Sequence, residues 1–252
     1  MLAQERYDII MSLLNKKGTV KTSQLIKEFK VSLETVRRDL EFLEKSKKLK
    51  RVYGGAIQIN PSREYKDFAL REKEFNPEKV KIAKKALSFI SNGQAIALDA
   101  GTTTLILAKM LKDQFEELTI VTNSLIIAEN LVSSSGFDVI LTGGMVSLKD
   151  YALSGIIAEQ TIKNFFFDVC FISASGISLK EGITDYNLNT VQIQKKLIES
   201  SQKTIVLADN RKFSSISIVK ICDFSDINTI ISDDELSKDL IKQYKEHGIE
   251  IL

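Results

Sequence analysis

Val31-Ser32-Leu33-Glu34-Thr35-Val36-Arg37-Arg38-Asp39-Leu40 carries two patterns at once. Wound as a helix at about 100° per residue, Leu33, Val36, Leu40 and Leu43 line up as an apolar stripe. Glu34, Arg37, Arg38, Glu41 and Lys45 gather on a separate face, with the residue types that reach phosphates and base edges. On an isolated helix such a face is equally well a solvated surface, so the neighbouring segments decide. Ser32 suits an N-cap, and the helix is expected over residues 33–46. A helix over residues 22–29, with Leu25, Ile26 and Phe29 on one side, precedes it across the tight connection Lys30-Val31-Ser32. An earlier helix, residues 4–14 with Ile10, Leu13 and Leu14 together, ends before Lys17 and Gly18. Two strands follow, residues 49–53 and 56–59, around Gly54 and Gly55. Lys47, Lys48, Lys50 and Arg51 give this hairpin the position and charge of a basic wing.

The chain has 252 residues, 44% apolar and 27% charged, with a net charge of +2. The charge is unevenly spread. Residues 1–60 hold 13 Lys and Arg against 7 Asp and Glu, whereas the remainder holds 22 against 26. A basic segment on a mildly acidic body suggests a polyanion-binding module joined to something else. The boundary is expected at Ile59-Asn60-Pro61-Ser62, which divides the chain into residues 1–58, a linker over 59–75 and a body over 76–252. No apolar run approaches the roughly 20 residues of a membrane span, and the first residues lack a basic region followed by an apolar core, so a cytoplasmic protein is expected. Cys170 and Cys222 lie in apolar strand-like runs and read as free thiols. A single histidine, His247, excludes mechanisms that need two, and neither a metal nor a cofactor is expected.

The body alternates. A helix opens at Asn76 and Pro77, read as a cap followed by proline at the first helical position, and runs to about residue 90. Short apolar strands are expected at 95–98, 118–121, 139–141, 169–172, 204–207 and 229–231. Helical patterns at 102–111, 125–131, 156–164 and 190–199 fall between most of them. Strands apolar throughout, alternating with helices, call for a mostly parallel sheet covered on both faces. Ligands of such sheets bind beyond the C-terminal ends of the strands. Leu98-Asp99-Ala100-Gly101-Thr102-Thr103-Thr104 runs from a strand into a helix N-terminus, where free N–H groups and hydroxyls suit a phosphate. The bland alternative is that Thr102 is only a helix cap. Thr122-Asn123-Ser124, Thr142-Gly143-Gly144 and Ser173-Ala174-Ser175-Gly176 repeat this chemistry at other strand ends, which fits a polar-ligand crevice.

Val31 to Leu40, followed by Leu49-Lys50-Arg51-Val52-Tyr53-Gly54-Gly55-Ala56, closely resembles the winged helix-turn-helix of the DeoR family of bacterial sugar-metabolism regulators. The resemblance implies a recognition helix in the major groove, with Ser32, Glu34, Thr35, Arg37, Arg38 and Glu41 at DNA and Lys48, Lys50 and Arg51 of the wing on the backbone. Leu33 departs from relatives, in which that place is often polar. From about residue 68 to 233 the body is similar to the sensor domain of the same family, which is related in fold to ribose-5-phosphate isomerase. By that resemblance a phosphorylated sugar would be lined by Asp99, Gly101, Thr102, Thr103, Thr104, Thr122, Asn123, Ser124, Gly143, Gly144, Ser175, Gly176 and the stretch Gly182 to Thr184. Asp209 and Lys212 match the family's Asp-x-x-Lys-Phe motif and would contact the ligand; otherwise Lys212 is a loop lysine in a surface ion pair, worth at most about 1 kcal/mol. Where relatives commonly carry a Glu and, four residues later, a Lys, this chain has Thr190 and Gln194, which removes an acid and a base. Lys195 lies about 100° further around that helix.

The reading that follows is a DNA-binding regulator, a repressor of a sugar operon relieved by a phosphorylated sugar, and not an enzyme. Two copies would be needed to read two half-sites of operator DNA, hence a homodimer or higher even oligomer. The alternatives are an isomerase-like enzyme using Asp99 or Asp209 as base, and a constitutive DNA-binding protein whose body only oligomerises.

Overall fold

The computed structural model describes residues 2–17, 19–46, 48–52, 54–58 and 66–252. The chain divides into two compact units, residues 1–61 and 62–252. Gly18, Lys47 and Tyr53, the expected boundary at Ile59-Asn60-Pro61-Ser62 and the linker as far as Tyr65 lie outside the described residues, as does the side chain of Lys50.

In the first unit α1 (Ala3–Lys17), α2 (Thr22–Phe29) and α3 (Leu33–Lys45) pack with strands β1 (Thr19–Lys21), β2 (Leu49–Val52) and β3 (Gly55–Gln58). The strands form an antiparallel sheet in the order β1-β3-β2, so the hairpin acquires a third strand that sequence reading missed. Three residues are too few to show period-two alternation. Gly55 makes that pairing possible, because a side chain there would collide with the Val20 carbonyl. Lys30 adopts the left-handed conformation at the end of α2 (φ 54°) and donates its N–H to the Ile26 carbonyl, and Ser32 caps α3 by accepting from Thr35 N–H at 3.2 Å. Val36, Leu40 and Leu43 enter a core with Ile10, Leu14, Leu25, Phe29 and Leu49. Leu33, expected in that stripe, is instead 44% exposed, as the first residue of α3 at the end of the stripe. Asp39 takes a buried place on the helix and is held by Arg6 through two bonds, Nε to Oδ2 at 2.6 Å and Nη2 to Oδ1 at 2.9 Å.

The second unit is built on a six-stranded sheet of β4 (Ala95–Leu98), β5 (Leu118–Thr122), β6 (Phe137–Leu141), β9 (Phe167–Ser173), β12 (Ser201–Leu207) and β14 (Thr229–Ile231). Each neighbouring pair is parallel, in the order β14-β12-β9-β4-β5-β6. Alternate side chains enter separate cores: Ala97, Val121, Cys170, Ile172 and Val206 one, and Ile96, Leu98, Val169, Phe171 and Ile205 the other. This division explains strands that are apolar throughout. Helices α5 (Asn76–Ala86), α6 (Thr102–Leu111), α7 (Leu125–Leu131), α8 (Ile156–Ile162), α9 (Leu188–Glu199) and α10 (Lys238–Glu246) accompany the sheet. Cys170 and Cys222 are free and buried.

Several expectations need correction. The span read as linker contains α4 (Phe68–Lys73), whose Phe68 is fully buried and donates its N–H to the Lys149 carbonyl at 2.9 Å. Asn76 is not the cap of α5; Phe75, in the left-handed conformation at φ 55°, precedes a helix that already includes Asn76. That helix passes into a single 3-10 turn at Leu87–Phe89. The antiparallel pair β7 (Met145–Ser147) and β8 (Ala152–Ser154), and the sheet of β10 (Gly176–Ser178), β11 (Gly182–Asp185) and β13 (Val219–Cys222), were not foreseen, being three or four residues each.

Candidate functional site

Going along the chain from β4, the sheet grows first to one side through β5 and β6, then to the other through β9, β12 and β14. The direction reverses between β4 and β9, which places a crevice beyond their C-terminal ends. Asp99 stands there, 1% exposed, and its carboxylate accepts from Ser173 N–H at 2.7 Å, Gln194 Nε2 at 2.8 Å, Thr104 Oγ1 at 2.9 Å and Gly101 N–H at 3.1 Å. Burial pushes the carboxyl above the ordinary range, and these donors oppose that shift. Gly101 admits no side chain, since a Cβ would strike the Ser173 hydroxyl. Gln194 Nε2 also donates to the Ser173 carbonyl at 2.9 Å, which orients the amide, and its Oε1 is buried without a partner among the described residues. Asp99 thus clamps the loop after β4 to the end of β9.

Above this clamp opens a pocket. It is lined by Thr102 and Thr103 at the start of α6 and by Ser173, Ala174 and Ser175 at and just after the end of β9; the loop after β12 adds Asp209, Arg211 and Lys212. Arg71, Glu74, Phe75 and Lys79, from α4, α5 and the turn between them, close it, with Asp185 from β11. The first intrahelical bond of α6 is Leu105 N–H to the Gly101 carbonyl, so the amides of Thr102 and Thr103 lie at the positive end of the helix. The hydroxyls of those two threonines make no hydrogen bond among the described residues, although both residues are buried. The Lys212 amine makes neither hydrogen bond nor ion pair among the described residues, and burial holds its pKa below the usual lysine range. The Lys79 amine donates to the Arg71 carbonyl, and burial lowers its pKa to about 8. Arg211 grips Asp209 through two bonds of 2.8 and 2.9 Å and stacks on Phe75. Burial also raises the pKa of Asp185, which accepts from Ser175 Oγ at 3.0 Å.

Of the residues named from sequence, Thr102, Thr103, Ser175, Asp209 and Lys212 line this pocket, and Asp99, Gly101 and Thr104 build the clamp beneath it. Gly176 and Thr184 face each other across β10 and β11, where Thr184 Oγ1 accepts from Ser217 N–H at 2.9 Å and donates to the Gly176 carbonyl at 3.1 Å. Thr122 ends β5, Asn123 and Ser124 follow it, and Gly143 and Gly144 follow β6, on the far side of β4 from the pocket. Thr122 Oγ1 accepts from Ser124 N–H, Asn123 Nδ2 donates to the Leu153 carbonyl, and Ser124 caps α7, while Asn123 Oδ1 is buried with no partner among the described residues. Gly144, at φ 108°, lets the chain turn where a Cβ would meet the Ser154 carbonyl at 2.5 Å. Sequence reading missed Arg71, Glu74, Phe75, Lys79, Asp185 and Arg211. Arg211 lies within the motif already quoted, but Arg71 sits in the span taken for linker, and no local pattern marks it.

On the first unit, Glu34, Arg37, Arg38 and Lys48 are exposed, and Thr35 and Glu41 are half-buried. Arg38 pairs loosely with Glu34 at 3.6 Å, Lys45 with Glu41 at 2.9 Å, and Arg51 with Glu44 at 2.8 Å, which fastens β2 to α3. The Arg37 guanidinium makes no hydrogen bond or ion pair among the described residues, so it is available to an external anion.

A model of the DeoR-like helix-turn-helix domain matches residues 6–62, and one of the DeoR C terminal sensor domain matches residues 74–234. The chain belongs to the DeoR family. It is a DNA-binding transcriptional regulator with a helix-turn-helix at its N-terminus and a sensor domain behind it. Among its DeoR-family relatives, the HTH-type transcriptional regulator GolR of Listeria innocua is 34% identical over 251 residues, covering 100% of this chain and 98% of that protein. The glycerol-3-phosphate regulon repressor of Haemophilus influenzae is 33% identical over 232 residues, covering 91% of this chain and 89% of that one. A solved ribose 5-phosphate isomerase of Methanocaldococcus jannaschii aligns with 54% of this chain and 53% of its own at 15% identity, with a TM-score of 0.40. Among the described residues no helix is long and apolar enough to cross a membrane.

Proposed function

We propose that this DeoR-family regulator represses a sugar-metabolism operon and that a phosphorylated sugar, bound over the N-terminus of α6, alters its hold on operator DNA. The observation that carries this reading is the meeting in one pocket of a helix N-terminus, two threonine hydroxyls and the Lys212 amine, none of the three side chains having a partner among the described residues. Phosphate supplies the charge and acceptors these groups lack, while Asp185, Asp209 and Glu74 offer acceptors to sugar hydroxyls. The relative named as a glycerol-3-phosphate regulon repressor supports the ligand class and the direction of control.

A binding role rather than turnover is supported by the state of the two candidate bases. Asp99 already accepts five hydrogen bonds, and Asp209 is held by the Arg211 fork, so neither carboxylate is poised to take a proton from a ligand. Each chain presents one recognition helix, and reading a two-fold operator takes two. A homodimer is further supported by the apolar side chains left exposed around β7, β8 and α8: Met145 (73%), Leu148 (81%), Ile156 (66%) and Ile157 (61%). Operator binding measured by anisotropy at fixed salt across a panel of phosphorylated sugars tests the reading. A phosphorylated sugar should shift operator affinity whereas its unphosphorylated form should not; no response to any member overturns the sensor role, and release of isomerised product overturns the non-enzymatic one.

A further inference from the structure

We propose that Arg71 and Glu74 form a tether through which occupancy of the pocket is communicated to the chain leading back to the winged unit; this rests on reading the pocket as an anion site. Both side chains line the pocket, and both hold Lys66, the first described residue after the stretch that joins the two units. Arg71 Nε donates to the Lys66 carbonyl at 3.0 Å, and the Glu74 carboxylate accepts from the Lys66 amine at 2.6 Å. The far side of the Arg71 guanidinium is fixed by Asp150, 2.7 Å from Nη2, and the Arg71 carbonyl accepts from the Lys79 amine. Phe68, fully buried and bonded to the Lys149 carbonyl, anchors the start of α4. Among the described residues, Lys66, two residues earlier, is fastened by two pocket side chains of opposite charge.

An anion entering this pocket attracts the guanidinium and repels the carboxylate. Both displacements act on one residue, and both loosen it. A ligand that binds the loosened state better than the fastened one then shifts their populations, and operator binding must in turn alter ligand affinity by the same factor. No rearrangement of the sheet is required, since the clamp at Asp99 stays intact.

Three full-length variants test this without any ligand. Lys66→Met cuts the Glu74 contact at a partly exposed site, Arg71→Gln cuts the carbonyl contact, and Lys84→Met, on the exposed side of α5, controls for the loss of one positive charge. At fixed salt, the first two should each weaken operator binding by about fivefold or more, with Lys84→Met close to the parent. Operator affinities for both tether variants indistinguishable from the Lys84→Met control overturn the proposal. In parallel, hydrogen exchange over residues 66–70 is followed in the parent protein with inorganic phosphate and with fructose 1-phosphate, and binding of each is measured by calorimetry. Faster exchange with a bound probe supports the tether, and unchanged exchange with a probe shown to be bound overturns it. If calorimetry shows that neither probe binds, the pocket reading fails, and the ligand-free operator titrations still decide the tether.

Discussion

Gln194 donates its side-chain amide to the Asp99 carboxylate at 2.8 Å across the point where the sheet reverses direction. A neutral donor thus stands beside a fully buried acid, in a place where relatives were expected to carry lysine. The carboxylate is stabilised by hydrogen bonds from Ser173, Gly101, Thr104 and Gln194, and α6, with its dipole, begins three residues on at Thr102.

Removing one of those donors should be costly. Gln194→Leu leaves Asp99 Oδ2 and the Ser173 carbonyl each one donor short, and a loss of about 2–3 kcal/mol is expected for an under-bonded buried charged group. Urea unfolding followed by circular dichroism measures it; a midpoint equal to the parent's would contradict the clamp.

Lys212→Met should lower affinity for a phosphorylated sugar at least about tenfold, the loss expected when a charge-assisted hydrogen bond worth roughly 1.5–3 kcal/mol is removed. Titration calorimetry reads this directly. An unchanged dissociation constant would return Lys212 to the role of an ordinary loop lysine.

The pH dependence has a definite sign. Lys79, lowered to about 8 by burial, is partly neutral just above that pH in the folded protein, whereas the unfolded chain keeps the proton until about 10.5. The unfolded state therefore binds more protons between those values, so this group's contribution to folding stability rises with pH across that window. An anion beside Lys79 favours its charged form, so ligand binding near pH 8 should take up protons and weaken as pH rises further. Calorimetry in buffers of different ionisation enthalpy detects the uptake, and Lys79→Met should abolish it.

Binding to operator DNA should depend steeply on salt, because residues 1–60 carry 13 basic against 7 acidic side chains. Arg37→Ala should reduce the slope of log affinity against log salt by about 1 if the free guanidinium neutralises one phosphate. A slope matching the parent's, with altered preference at one base pair, would move Arg37 from the backbone to a base edge.

Arg6 and Asp39 are joined by a buried two-bond pair that ties α1 to α3. Truncation of Asp39→Ala should destabilise the winged unit by about 2 kcal/mol, because it removes both charge-assisted bonds by which Asp39 holds the Arg6 guanidinium. Thermal unfolding of the full chain, with a probe on the winged unit, reports the loss.

Local pattern was enough for much of this molecule. The period of Val36, Leu40 and Leu43 marked the inward face of α3, and apolar runs marked all six parallel strands, because both signals are written over consecutive residues. It overreached where position along an element mattered: Leu33 continues the stripe in sequence but is the first residue of its helix and stays 44% exposed. Hydroxyl-rich strand ends pointed to a crevice, yet their chemistry is shared by caps and turns, so Thr122, Asn123 and Ser124 were indistinguishable from Thr102 and Thr103 until strand order was known.

Residue order alone thus established the winged helix-turn-helix, the alternating strands and helices and the basic charge of the first sixty residues, all consequences of short-range geometry and composition. Which strand ends share a pocket depended on β9 returning beside β4, and the enlistment of Arg71 and Glu74 depended on α4 folding over that pocket. Such contacts join residues 79 and 95 positions apart, and their stability comes from burial and pairing that exist only once the sheet has formed.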